Sequence, residues 1–95
     1  MLESSISELG PDGQRLSATL DPAWRRGLGS ELRRRRRARG LTQQDLGRPL
    51  SKAFVSSVER GRAVPSLPAL RLMVDRLGVS LAEFFAGVDE QSNGT

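Results

Sequence analysis

The chain has 95 residues, a formal net charge of +4 and neither cysteine nor histidine. That length fits one small domain with a modest core. Without cysteine there are no disulfides or thiolate metal sites, and without histidine zinc binding and general-base catalysis lose a principal residue. We therefore expect no metal, no other cofactor and no enzyme activity. No apolar run approaches the ~18 residues that span a bilayer and no signal segment opens the chain, which predicts a cytoplasmic protein without a membrane partner.

The charge is unevenly distributed along the chain. Residues 1–21 contain four acidic residues and one basic residue, a net charge of −3. Residues 22–95 contain 14 basic residues against seven acidic ones, a net charge of +7. A strongly basic folded part favours an anionic partner.

The first 21 residues are predicted to form an acidic, flexible arm. Serine, glycine and proline are scattered there among isolated apolar residues, and the composition gives no clear helical period. The arm ends at Asp21 and Pro22, because an N-cap residue followed by proline at the first helical position is a typical helix start. The folded domain is accordingly expected over residues 22–87.

The first helix of that domain is predicted over residues 22–39. Apolar residues recur at four-residue intervals, at Trp24, Leu28 and Leu32. Gly27 and Gly29 lie inside the segment and weaken it, since each costs ~1 kcal/mol relative to alanine in a helix. A start near Leu28 is therefore an alternative.

Five consecutive arginines, residues 33–37, lie within this helix. Consecutive residues of a helix point all the way round its axis, so the run cannot form one stripe facing a single partner. We interpret most of the run as a solvated basic face. A nuclear-localisation signal is a weaker alternative, because the run lies inside a folded helix.

Residues 41–61 indicate two short helices joined by a tight turn. Thr42 is a good N-cap for a helix over about residues 43–48, and Asp45 can complete a capping box with it. Pro49 ends this helix, because the residue before a proline is pushed out of the helical region.

The second helix of the pair is predicted over about residues 52–60, with Ser51 as its N-cap and Gly61 as the residue that ends it. Val55 and Val58 face inward. Four small or polar residues face outward: Lys52, Ala53, Ser56 and Ser57. A helix pair of this size is a helix-turn-helix unit, whose second helix is built to enter the DNA major groove.

Two further helices follow. Ser66 caps the fourth, which Gly78 ends, and its apolar residues fall on one face at Leu70, Met73, Val74 and Leu77. Ser80 and Glu83 form a capping box for the fifth. Residues 88–95 are polar and are expected to form a short flexible tail. No segment alternates like a strand, so the fold class is all-α.

The segment LTQQDLGRPLSKAFVSSVERG, residues 41–61, is preceded by four residues in a characteristic order, Leu32, Arg33, Arg36 and Gly40. This arrangement resembles the phage-repressor and Cro-like (Xre-type) helix-turn-helix family, and the resemblance extends from Leu28 to Phe85. It implies a five-helix, repressor-like, DNA-binding domain. One departure is the turn between Leu50 and Ser51, which is two residues shorter than is usual in the family.

The resemblance also implies an ion pair between Arg36 and Glu59, at the end of the reading helix. The residues themselves support it, because Glu59 directly follows the inward-facing Val58 and a half-buried acid needs a partner. Two separately solvated charges are the alternative, since surface pairs are common and weak.

Candidate DNA contacts fall into two groups. The base-reading candidates are the outward-facing Lys52, Ala53, Ser56 and Ser57. The phosphate-contacting candidates are Gln43, Ser51, Arg60 and Arg62, of which Gln43 resembles a family residue that also braces the reading helix. Phe54 either touches thymine methyl groups or, as we favour, packs in the core.

Apolar surface in excess of a five-helix core suggests a two-fold interface formed by Leu72, Phe84 and Phe85. The expected function is therefore a sequence-specific, DNA-binding transcriptional regulator, a dimeric repressor that reads the major groove with residues 52–60. An antitoxin or controller protein of the same fold, binding a protein partner through the N-terminal arm, is the first alternative. A module that keeps the fold without binding DNA is the second.

Overall fold

The computed structural model describes residues 22–93, with side chains through residue 90. The predicted arm, residues 1–21, and the last two residues of the chain lie outside this range. Five helices occupy the described part, and no strand occurs in it. They are α1 (Pro22–Ala38), α2 (Gln43–Gly47), α3 (Lys52–Glu59), α4 (Leu67–Leu77) and α5 (Leu81–Asn93). The all-α, five-helix expectation is confirmed.

Helix α1 is continuous from Pro22 in spite of its two glycines. Gly29 is buried where α1 crosses the end of α3, and a Cβ there would collide with the carbonyl oxygens of Val58 and Glu59. The missing side chain therefore permits a backbone approach that alanine would block. The glycine that weakens the helix in isolation is required by its packing.

The helix-turn-helix pair is capped as its sequence predicts. The Asp45 amide donates to the Thr42 hydroxyl at 3.0 Å, and the Thr42 amide donates to the Asp45 carboxylate at 3.2 Å. The Phe54 amide donates to Ser51 Oγ at 3.0 Å, which caps α3. Gly47, at the end of α2, lies against Val55, where a Cβ would collide with the valine side chain.

The C-terminal part differs from its prediction. Ser66 caps α4 and Ser80 with Glu83 caps α5 as expected. The segment expected to be a flexible tail, residues 88–95, is helical as far as Asn93, because α5 continues to that residue and Val88 is fully buried. Val88 lies one helical turn after Phe84, so both face the core and the helix extends past the expected tail.

The core joins residues of all five helices. It comprises Leu28, Leu32, Leu46, Val55, Val58, Leu70, Met73, Val74, Leu77, Phe84 and Val88. The prediction that Phe84 lies at a dimer surface was wrong, because its side chain is fully buried. Phe85 is half-buried, stacking on Trp24 of α1 with ring centroids 6.5 Å apart. Leu72 is also half-buried.

Candidate nucleic-acid interface

Helix α3 has one buried face and one accessible face. Val55 and Val58 are fully buried. On the other side Lys52 and Ala53 are exposed and Ser56 and Ser57 are half-exposed, as the sequence predicted. Phe54 is half-buried and packs against the core, in agreement with the favoured interpretation. The accessible face is narrow and carries small side chains, which allows close approach to a partner surface.

The end of α3 is held by Glu59, whose side chain is almost fully buried. Arg36 Nε and Nη2 donate to the two carboxylate oxygens of Glu59 at 2.6 and 3.1 Å. Gln43 Nε2 donates to the same carboxylate at 3.1 Å. The structure thus brings together the predicted pair and adds the first residue of α2, so one buried carboxylate is bound from two other helices.

Arg36 is itself fixed by a further contact. Its Nη1 donates at 2.7 Å to the carbonyl oxygen of Leu41, in the connection between α1 and α2. The guanidinium plane is therefore oriented on three sides, by both Glu59 oxygens and by the Leu41 carbonyl. This network sets the position of α3 relative to α1 and to the start of α2.

The four candidate phosphate contacts differ in how many of their hydrogen-bond donors are already used within the domain. Arg60 and Arg62 are exposed on either side of Gly61, and neither forms an ion pair within residues 22–93. Gly61 has φ +76° and packs on Arg26 of α1, where a Cβ would be too close. Ser51 Oγ accepts the capping bond of α3 and keeps its hydroxyl hydrogen for another acceptor. Gln43 donates one side-chain amide hydrogen to Glu59, and its other amide hydrogen remains available.

Comparison with known proteins agrees with this geometry. Residues 27–84, more than half of the chain, match the family described as the helix-turn-helix domain. The chain belongs to this family. It is 39% identical over 70 residues to a Sinorhizobium fredii protein named uncharacterized HTH-type transcriptional regulator y4dJ, an alignment that covers 72% of this chain and 91% of that protein. No solved structure gives a significant match.

The arginine run of this helix-turn-helix domain is more than the solvated face that we expected. Arg34 and Arg35 both donate to Glu31, which is 1% exposed. Arg34 binds it with two bonds, at 2.7 and 3.1 Å, and these bonds with the carboxylate charge raise the pKa of the Arg34 guanidinium. The interpretation was wrong for these two residues. Glu31 lies three and four residues before them, a spacing that the sequence offered as a signal.

Two other arginines connect separate elements of the domain. Arg39 Nη1 donates to the carbonyl oxygen of Leu77 at 3.1 Å, at the end of α4. Arg76 Nη1 donates to the carbonyl oxygen of Leu46 at 3.2 Å, at the end of α2. Each cation satisfies a helix-terminal carbonyl that has no partner within its own helix. Sequence reasoning missed both, because they join residues about 30 or more positions apart.

Within the part of the chain that the structure describes, no cluster of acidic residues is arranged to hold a metal ion. None of the described helices is long and apolar enough to cross a membrane.

Proposed function

We propose that this helix-turn-helix protein is a DNA-binding transcriptional regulator that acts as a dimeric repressor of the phage-repressor and Cro-like type. The observation that carries the proposal is the anchoring of Glu59 by Arg36 and Gln43, which leaves the opposite face of α3 accessible. A helix whose buried face is fixed by an ion pair, and whose other face is accessible, can enter a groove without losing its orientation. The name of the Sinorhizobium relative supports the transcriptional-regulator part of the proposal.

The accessible face of α3 reads the bases. Lys52 donates to guanine O6 and N7, or to a phosphate, from the first turn of the helix. Ser56 and Ser57 each donate or accept at base edges, and Ala53 contacts a thymine methyl group. Short side chains bring the helix backbone close to the floor of the groove, so the position of α3 contributes as much to selectivity as the side chains.

Phosphate contacts set the register of the domain on DNA. Arg60 and Arg62 supply charge beyond the end of α3, while Ser51 and Gln43 supply neutral donors at the starts of α3 and α2. Such contacts give affinity but no sequence preference. Repression then needs only that the bound domain occupy DNA required for transcription to start.

A dimer provides the second half-site that one reading helix lacks, at a spacing of about 34 Å along the DNA. With Phe84 buried, the two-fold contact needs another apolar surface. The large apolar side chains most exposed within residues 22–90 are Leu67 at 64% and Val64 at 40%, at the start of α4 and in the loop before it. We place the contact there.

Two substitutions test the reading face against the phosphate contacts. Affinity is measured by fluorescence anisotropy for duplexes recovered from genomic DNA and for scrambled versions of them. Ser56→Ala is expected to weaken binding to the recovered duplex and to change the preferred base at one position. Arg62→Gln is expected to weaken both duplexes alike and to reduce the slope of log affinity against log salt by about 0.9. Equal effects of the two variants on both duplexes would contradict the assignment.

Sedimentation of Leu67→Ser and of the parent tests the dimer. Because Leu67 is exposed, the substitution should leave the thermal melt nearly unchanged while the dimer dissociates at a higher concentration than in the parent. A parent that is monomeric both free and on DNA would rule out the dimer and leave the reading face to be judged on its own.

A further inference from the structure

A basic cleft lies beside the anchor of the reading helix. Its volume is about 260 Å³, and it is lined by Arg33, Arg36, Arg37, Gln43, Glu59 and Arg60. Four guanidinium groups face one carboxylate, which gives the lining a net charge of +3. The carboxylate is already bound by Arg36 and Gln43, so the positive charge of the other three arginines is not offset.

The five arginines of residues 33–37 differ in what they contact. Arg34 and Arg35 bind Glu31, and Arg36 binds Glu59. Arg33 and Arg37 are exposed and form no ion pair within residues 22–93. Within the run of residues 33–37, these are the two arginines without an ion pair among the described residues, and both line the cleft with Arg36 and Arg60.

This arrangement is unfavourable in the free protein. Arg33 and Arg37 are four residues apart on one side of α1, and like charges at that spacing destabilise a helix. Arg60 adds a third cation from another element. Folding alone gains nothing from three unpaired guanidinium groups around one cleft, whereas an anion between them would relieve the repulsion and form charge-assisted hydrogen bonds.

We propose that Arg33, Arg37 and Arg60 bind one phosphate of the DNA backbone, so that α1 takes part in the interface alongside the helix-turn-helix pair. The proposal rests on the proposed function and adds two contact residues to it. Guanidinium groups match phosphate oxygens with paired donors. Arg60 lies one turn beyond Ser56, so the cleft continues the accessible face of α3 toward the flanking backbone.

The phosphate chemistry admits one other source, a free phosphate or a small phosphorylated ligand. The backbone is favoured because the cleft adjoins the reading face and shares Gln43 and Arg60 with the candidate phosphate contacts. A phosphate bound there would also lie next to Arg36 and Glu59, so DNA contact and the anchoring of α3 would reinforce each other.

The experiment measures the salt dependence of DNA binding for the full chain and three variants, Arg33→Gln, Arg37→Gln and the double variant. Arg71→Gln is the matched control, because it removes one exposed helical arginine of α4 whose nearest acid, Asp75, is 3.8 Å away and itself exposed. In the double variant the slope of log affinity against log salt should become shallower, by up to about 0.9, because Arg60 alone remains at that phosphate. Arg71→Gln should keep the slope of the parent.

The thermal melts of the Arg33 and Arg37 variants should equal or slightly exceed that of the parent, since a repulsion is removed. A parent that binds DNA with a slope unchanged in the double variant would overturn this proposal and leave the proposed function standing. A parent that binds no DNA at low salt would overturn both. A titration with inorganic phosphate, followed by the NMR signals of the arginine Nε–H groups, tests whether the cleft binds a free phosphate. Tight phosphate binding, together with an unchanged slope of log DNA affinity against log salt in the double variant, would assign the cleft to a small ligand and overturn the backbone assignment.

Discussion

Two buried carboxylates lie on opposite sides of α1, and each is neutralised by arginines of the same run. Glu31 is bound by Arg34 and Arg35, three and four residues further along the same helix. Glu59 is bound by Arg36 and Gln43, which lie 23 and 16 residues away on two other helices. The Arg34 and Arg35 bonds to Glu31 are local, whereas the bonds to Glu59 connect three elements.

The difference lies in what each network can position. The Arg34 and Arg35 bonds to Glu31 are made within α1, and the carboxylate faces α5, where Gly87 leaves space for it. These two bonds do not fix one helix relative to another. The Glu59 network joins α1, α2 and α3, so the orientation of the reading helix depends on it. The same arginine–carboxylate chemistry neutralises a buried charge at Glu31 and orients the reading helix at Glu59.

The largest expected effect separates these two networks directly. Glu59→Ala leaves Arg36, 11% exposed, without its carboxylate, and should destabilise the fold by ~3–5 kcal/mol. Glu31→Ala should cost less, about 1–2 kcal/mol, because Arg34 is 56% exposed and can turn to water. Urea unfolding measures both. Equal losses in the two variants would show that the networks do not differ as argued.

Substituting alanine for two glycines, one beside each network, tests the same difference through packing. Gly29→Ala places a methyl group against the backbone carbonyls of Val58 and Glu59, an overpacking cost of about 1–3 kcal/mol that the gain in helix propensity of about 1 offsets only in part. Gly87→Ala meets the buried Glu31 carboxylate, the far end of a side chain rather than backbone, and the bonds from Arg34 and Arg35 must adjust to it. Thermal melts should therefore show the larger loss for Gly29→Ala and a smaller loss for Gly87→Ala. The reverse order would contradict the close crossing of α1 and α3.

Much of this organisation follows from the sequence, and the exceptions share a cause. The caps at Thr42 and Ser51 are local signals and appear as expected. The Arg36–Glu59 contact was anticipated from the family pattern, together with the burial expected of an acid beside Val58. The buried Glu31 was overlooked although its partners are one turn away, because a run of charges on a helix usually indicates a solvated face.

The other exceptions depend on tertiary packing. The intrinsic helix propensity of Gly29 argues against the helix that contains it, and only the approach of α3 explains the residue. Whether Phe84 faces the core or a partner depends on where α5 lies against α1, which periodicity does not determine. Val88 is buried for the same reason, so α5 continues into the segment that was expected to be a flexible tail.

Substituting the N-cap serines of α3 and α4 should give a smaller effect on stability, and it compares the reading helix with a helix outside the helix-turn-helix pair. Ser51→Ala and Ser66→Ala each remove the side-chain acceptor of a helix N-terminus, at Phe54 and Ala69, and each should cost ~1 kcal/mol in urea unfolding. On a duplex that holds a single half-site, only Ser51→Ala should also weaken DNA binding, because it frays the first turn of α3. Equal DNA affinities for the two variants would argue that this turn does not contact DNA.

The smallest effect concerns the cap of α2. Hydrogen bonds from the Thr42 amide and with its hydroxyl hold the pKa of the Asp45 carboxyl below its ordinary value. The stabilisation is therefore fully present above the ordinary carboxyl pKa and is lost as the pH falls through the lowered pKa of the folded state. Thr42→Ala should move the pKa of Asp45 back toward the ordinary value in an NMR titration. An identical titration curve in parent and variant would mean that the hydroxyl does not contribute.

The central claim is that a rigidly held α3 reads DNA sequence, and selection from a random-sequence DNA pool tests it most directly. Duplexes retained by the full chain over several rounds are sequenced and compared with the input. We predict an enriched motif made of two related half-sites about 34 Å apart, centre to centre. A retained pool with the same base composition and no enriched motif would contradict sequence-specific recognition.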